Sequence, residues 1–501
     1  MLYQSTRGNS QPVSAAGAIK LGIAPDGGLF VPDRPVFVTA GELALMAGMT
    51  YQERAASILQ LFLTDFTSGE IRECVQGAYD REKFDVPEVA PLQKLDEHLY
   101  VLELWHGPTC AFKDMALQIL PRLLPRAVKK TGEDREIAIL VATSGDTGKA
   151  ALEGFRDVPG TRIIVFFPAR GVSEVQRLQM ITQEGRNVHV VAVEGNFDQT
   201  QSGVKAIFTD PAVNAAIDRR GYRFSSANSI NWGRLVPQIV YYFSAYADLL
   251  ARGEIASGET VNFVVPTGNF GNILAAFYAR RMGLPVKRLI CAANRNNVLT
   301  DFIRTGTYDR TREFYRTISP SMDILISSNL ERLLYEVTGG DAARVREWMG
   351  ALQTAGRYQV DGETLEKIQA VFWSDFAGDP ATMETIRNTY RQYGYLMDTH
   401  TAVGKYVYDR YVEATGDTGK TVIASTASPF KFNQSVATAI LGEEAVRGKG
   451  EFELLETLSR ATGLPIPKGL KNLDKKPVRH TLTVAPEEMK RVVQELLTGR
   501  N

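Results

Sequence analysis

Between residues 136 and 208 short apolar runs take turns with helix-like segments. Glu136–Ala142 is rich in Ile, Leu and Val; a Gly/Ser/Thr turn follows it, then an amphipathic stretch over 148–155. Residues 162–167 and 187–193 are further apolar runs, trailed by helical patterns over 173–183 and 197–208. Strand and helix signals of this length, in this order, argue for βαβ units on a parallel sheet. A second series begins later: a strand at 261–265, a helix at 272–281 stopped by Gly283, a strand at 288–292 and a late strand at 421–424. The expected fold class is therefore α/β: two open α/β domains with a cleft between them, plus a small helical N-terminal domain. Ligands of such sheets sit beyond the carboxyl ends of the strands.

At roughly 150 residues per domain, 501 residues hold two to four domains. Residues 1–90 read as the N-terminal helical domain. Residues 91–130 with 235–440 read as the large α/β domain, carrying a polar helical insertion at 300–400. Residues 131–234 read as the small α/β domain, and 441–501 as a C-terminal helical tail. Lys plus Arg and Asp plus Glu number 57 each, so the formal net charge is zero. That argues against nucleic acid as a partner, which calls for a basic surface. Any anion site must then be a local device. No run of about 20 apolar residues exists, so no membrane span is expected. The N-terminus lacks an apolar signal core, and the three cysteines, Cys74, Cys110 and Cys291, form no CxxC. A reducing, cytoplasmic setting is expected.

Three motifs can carry chemistry. Thr267-Gly268-Asn269-Phe270-Gly271-Asn272 lies between a strand and a helix. Its glycines let backbone approach a ligand, and free N–H groups at the helix start face an anion, as a bound phosphate requires. A tight turn with no ligand explains the same residues. Thr143-Ser144-Gly145-Asp146-Thr147-Gly148-Lys149 also sits at a strand-to-helix turn. It is not a Walker A loop, because two residues rather than four separate its glycines and Ala150 follows Lys149. It offers a cradle for a carboxylate or phosphate, or simply a capped helix start. Lys149 itself reads as a solvated charge. The third motif is His106-Gly107-Pro108-Thr109-Cys110-Ala111-Phe112-Lys113-Asp114. A lysine held beside apolar neighbours loses its charge more easily and forms imines more readily. A surface lysine near a helix start is the commoner fate. Together the three supply an amine, a phosphate loop and a second anion loop.

In this order, these motifs resemble the threonine synthase family, pyridoxal-phosphate enzymes of the tryptophan-synthase-β fold type. The resemblance begins at Tyr3-Gln4-Ser5-Thr6-Arg7-Gly8 and runs through Asp398-Thr399-His400 to residues 425–432. It implies pyridoxal 5'-phosphate as cofactor, seated in the cleft, with Lys113 as the Schiff-base lysine. Gly268, Asn269, Phe270, Gly271 and Asn272 would hold the cofactor phosphate, and Thr426 would face the pyridine nitrogen. Ser144, Gly145, Asp146 and Thr147 would hold the substrate carboxylate, and Asn228 with Arg234 the substrate phosphate. The family reaction turns O-phospho-L-homoserine and water into L-threonine and phosphate by γ-elimination and β-hydration. The chain departs from the family pattern at Ser428, where histidine is frequent, and at Met115, where an aromatic residue is frequent.

Two other functions stay open on the sequence. A dehydratase-like lyase of the same fold would share the lysine and glycine loop but not the Asn228–Arg234 pair. A non-catalytic relative would have lost the lysine, and Lys113 is present. His106 and His400 read as residues that orient a turn or a neighbour. No metal site is expected, and the oligomeric state, monomer or homodimer, is left open.

Overall fold

The structure, a computed structural model, describes residues 1–498 except Ser144 and Gly171; the side chains of Phe197, Asp198 and Thr498 are also outside the description. Two sheets organise it. The larger has six strands in the order Phe372–Phe376, Val286–Ala293, Val261–Pro266, Thr421–Ser425, Leu99–Glu103, Leu92–Lys94. All neighbours are parallel except the last pair. The smaller has five parallel strands in the order Thr483–Val484, Val188–Val193, Thr161–Pro168, Glu136–Ala142, Tyr222–Ser225.

Continuous apolar strands arise because both faces of each sheet are covered. In Glu136–Ala142, Ile137, Ile139 and Val141 enter the main core, while Ala138, Leu140 and Ala142 enter a second core on the opposite face. That is the two-residue period of a pleated strand with apolar partners on either side. The 20-residue helix Trp232–Ala251 is apolar nearly all round and correspondingly buried. It packs against the helices Tyr51–Phe62, Gly271–Arg281 and Asp114–Leu117, tying the N-terminal unit to both site-bearing loops.

Three segments differ in detail from their sequence reading. The N-terminal unit is mainly helical, with capping boxes opening Ala40–Met46, Tyr51–Phe62 and Ser68–Ala78, but Tyr3–Ser5 and Phe30–Pro32 also pair as a small antiparallel ribbon. The 300–400 stretch is helix-rich and also contributes Phe372–Phe376 as the edge strand of the large sheet. The C-terminal stretch contributes Thr483–Val484 to the edge of the small sheet, and its helix Met489–Thr498 packs on the helices Phe197–Thr209 and Pro211–Asp218. Strands of two to five residues at an edge carry too short an alternation to stand out from their neighbours.

Candidate active site

Three adjacent strands of the large sheet deliver three of the expected elements at their carboxyl ends. Leu99–Glu103 leads into the loop before Lys113, Thr421–Ser425 into Thr426, and Val261–Pro266 into Gly268–Asn272. The Lys113 and Thr426 segments are joined directly: the Phe112 N–H donates to the Thr426 carbonyl at 2.8 Å, and Ala111 bridges Ala427. In the small sheet, the neighbouring strands Glu136–Ala142 and Tyr222–Ser225 lead to the Asp146 turn and to Asn228 and Arg234.

Lys113 stands at the start of the helix Asp114–Leu117, with Nζ 4.9 Å from the Phe112 ring centre. Its Nζ is 3.6 Å from Asp146 Oδ2, and its side chain is 11 % exposed. Burial pushes the ammonium below the usual lysine range; Asp146 opposes this, while Lys431 and Arg234 reinforce it. The loop before Lys113 is held by Asp114, whose carboxylate accepts from the Thr109 N–H and hydroxyl at 2.8 and 2.7 Å.

The glycine loop is shaped for close approach. Phe270 caps the helix Gly271–Arg281 with φ 63°, a left-handed conformation that turns the following N–H groups outward. A Cβ on Gly268 would lie 2.6 Å from the Ser321 carbonyl. The Asn269 carbonyl is tied down by the Asn329 backbone and side-chain N–H groups at 3.1 and 3.2 Å. Asn272 takes the hydroxyls of Tyr241 and Tyr242 on its amide oxygen, which leaves its Nδ2 buried with no partner among the described residues. A phosphate-bearing cofactor fits here: an N–H-rich helix start, a cradle that a Cβ would fill, and an unpaired buried amide donor.

Arg234, in the first turn of the Trp232–Ala251 helix, is 2 % exposed. Its Nη1 donates to the Ala227 carbonyl at 2.6 Å, next to half-buried Asn228, and its Nε has no partner among the described residues. Burial lowers its pKa to about 10, and no described carboxylate pairs with it. An unpaired buried guanidinium is costly unless an anion arrives.

The second anion loop is only partly described, since Ser144 lies outside the described residues. The Thr143 hydroxyl accepts from the N–H groups of Gly145 and Gly148, both at 2.9 Å. Thr147 is half-buried in the first turn of the helix Asp146–Phe155. The Asp146 carboxylate does not face an anion: it faces two cations, Lys431 Nζ at 2.9 Å and Lys113 at 3.6 Å. Burial works against its charge, yet Lys431, Lys113 and Gln176 outweigh that and hold it far below the usual carboxylate range. Thr426 is 6 % exposed, and its hydroxyl makes no hydrogen bond to a described residue.

Lys149 is not a solvated charge. It is 9 % exposed and paired with Glu153 at 3.1 Å and with Gln183, because its helix is covered by the helix Glu174–Ile181. His400 accepts the Ser321 N–H on Nε2 at 3.1 Å, so its proton lies on Nδ1, 2.7 Å from Asp398. It thereby orients the turn that walls Gly268. Sequence reasoning missed Lys431, Asn329 and Arg332. Buried Arg332 donates to Asn329 Oδ1 and to the carbonyls of Phe30 and Ile230. Only Lys431 left a trace in the sequence, as a lysine set among Pro429, Phe430 and Phe432 just beyond a strand.

Models of three families match the chain in succession: threonine synthase N terminus at residues 2–79, pyridoxal-phosphate dependent enzyme at 84–371, and threonine synthase C-terminal at 401–494. Threonine synthase of Pseudomonas aeruginosa is 40 % identical over 93 % of this chain and 96 % of its own. Human threonine synthase-like 1 is 41 % identical over 86 % of this chain, which spans 59 % of that longer protein. The solved structure of PLP-bound threonine synthase from Brucella melitensis superposes with a TM-score of 0.87 at 37 % identity, covering 100 % of this chain and 99 % of that one. The chain belongs to the threonine synthase family of pyridoxal-phosphate-dependent enzymes.

Proposed function

We propose that the protein is a threonine synthase, a lyase that converts O-phospho-L-homoserine and water to L-threonine and phosphate with pyridoxal 5'-phosphate as cofactor. The observation that carries this reading is Arg234, a buried cation with no counter-anion among the described residues, set within electrostatic reach of Lys113. A lyase acting on unphosphorylated serine or threonine has no use for such a residue.

Lys113, Gly268–Asn272 and Thr426 would hold the cofactor, which when bound would supply an electron sink for charge left on the substrate's Cα. The N–H groups that open the Gly271–Arg281 helix, with the free Asn272 Nδ2, bind its phosphate. The Thr426 hydroxyl, rather than a carboxylate, would face the ring nitrogen; a hydrogen bond without a full charge would keep the sink shallow. The backbone around Ser144, Gly145, Asp146 and Thr147 binds the substrate carboxylate. Arg234, with Asn228 beside it, grips the substrate phosphate and aligns it for departure. The Lys113 amine, whose charged form burial disfavours, takes protons from Cα and Cβ and returns them at Cγ and Cα, while water adds at Cβ.

The three cysteines are buried and unpaired, in keeping with a reducing, cytoplasmic setting. No helix among the described residues is long and apolar enough to cross a membrane. The test is phosphate release from O-phospho-L-homoserine with threonine identified as product. Release of 2-oxobutyrate instead, or turnover of serine but not of the phosphorylated substrate, would replace this reading with the dehydratase-like one.

A further inference from the structure

We propose that Lys431 is a positioning residue for Lys113: by claiming Asp146 it denies Lys113 a counterion of its own. The inference rests on Lys113 being the reactive amine. Its starting point is an imbalance, since two buried lysines converge on one carboxylate. Lys431 has a fully buried side chain and holds Asp146 Oδ1 at 2.9 Å, while Lys113 reaches Oδ2 only at 3.6 Å. Lys431 is fixed from its other side by donating to the Thr109 carbonyl at 2.8 Å. That carbonyl belongs to the loop leading into Lys113, so one ammonium ties the Thr426 segment, the Lys113 loop and the small-sheet helix together.

Asp146 has little freedom to turn toward Lys113. The Gln176 amide donates to Oδ1 at 2.9 Å, and the Ser321 hydroxyl donates to Oδ2 at 3.2 Å. The carboxylate is thus satisfied from the small sheet, from the 317–323 turn and from Lys431, and offers Lys113 only a long contact. Around Lys113 the remaining titratable groups do not restore the balance. Arg234, on the Trp232–Ala251 helix, adds positive charge. Asp114, the next residue, turns to Thr109 instead. Lys149 and Glu153, further along the small-sheet helix, pair with each other. A buried amine with two cations near and only a shared anion favours its neutral form. A neutral amine is the form that attacks a carbonyl and accepts a proton.

The geometry makes a signed forecast that a merely structural lysine would not. Removing the Lys431 charge hands Asp146 to Lys113, so the affinity of Lys113 for a proton must rise. The full-length chain, freed of cofactor by hydroxylamine and dialysis, is labelled with trace acetic anhydride across a pH series. Labelling of Lys113 is then read by peptide mass spectrometry. In Lys431→Met the pH of half-labelling should climb by about one unit or more, a tenfold change in proton affinity. Lys431→Arg keeps the charge and should stay near the parent value. Asp146→Asn should move the midpoint down. An unchanged midpoint in Lys431→Met, or the same rise in Lys431→Arg, overturns the proposal. Should Lys431→Met fail to fold, Asp146→Asn and Lys431→Arg decide: a midpoint that does not fall in the first, or that rises in the second, overturns it. None of these outcomes depends on which substrate is turned over, so a failure of the proposed reaction would be seen separately.

Discussion

Arg234 is where the electrostatics of a single side chain separate one chemistry from another. The whole chain is neutral, so a dianionic phosphate has to be met by local donors. A charge-assisted contact of this kind is worth about 1.5–3 kcal/mol, roughly one to two decades in an equilibrium constant. Because the phosphate leaves in the reaction, part of that contact should strengthen in the transition state. Arg234→Leu is therefore expected to lower kcat/KM for O-phospho-L-homoserine by about tenfold or more, with a loss in kcat as well as a rise in KM. Cofactor affinity and any slow turnover of serine should hardly move. Equal loss of both activities would make Arg234 a packing residue. The leucine also relieves an unpaired buried charge, so the variant should be no less stable than its parent, as its urea midpoint will tell.

At the scale of elements, the glycine loop, the 317–323 turn and the helix carrying His400 behave as one wall. His400 accepts from Ser321, the Ser321 carbonyl lies against Gly268, and Ser327 donates its hydroxyl to the Gly268 carbonyl at 2.7 Å. Gly268→Ala would place a methyl 2.6 Å from the carbonyl of Ser321, a residue held through its N–H by His400 and through its hydroxyl by Asp146. Overpacking of this kind costs about 1–3 kcal/mol. Relief by shifting the loop would spoil the N–H groups that meet the cofactor phosphate. The expected result is a cofactor Kd raised about tenfold or more in a reconstitution titration, at roughly 1.4 kcal/mol per decade. Secondary structure by circular dichroism should be retained. Normal cofactor affinity in this variant would place the phosphate elsewhere.

Across the whole molecule, the end of the N-terminal unit is fastened to the large sheet through His106. Its ring lies 2.6 Å from Asp85 and 2.9 Å from Glu103, and it stacks on Trp105. Burial alone would lower the pKa of His106, but the two carboxylates overcome it and raise the value to about 9. A folded value above the unfolded one adds stability that is complete below about pH 6.5 and is lost as pH rises through about 9. Asp85 is half exposed, so screening trims the effect to about 1–2 kcal/mol. The gap in urea midpoint between the parent and His106→Gln should accordingly be wide at pH 6 and narrow above pH 9; a gap independent of pH would show that stacking, not charge, holds this joint. Much of this architecture was written in local pattern. Runs of Ile, Leu and Val with a two-residue period specify strands buried on both faces, and Gly-rich strand-to-helix turns specify where backbone can meet an anion, because both follow from chain geometry within a few residues. Lys113, Gly268–Asn272 and Arg234 could be singled out on that basis together with the family resemblance. What the chain could not disclose locally was which charges share a dielectric. Lys149 reads as solvated and is buried, the Asp146 side chain in the anion loop turns out to be a counterion to two lysines, and Lys431 went unremarked though it completes the pair. Burial and Coulomb energy depend on neighbours that the local sequence does not name, the helix Glu174–Ile181 over Lys149 and Lys431 against Asp146, so only the tertiary packing settled them.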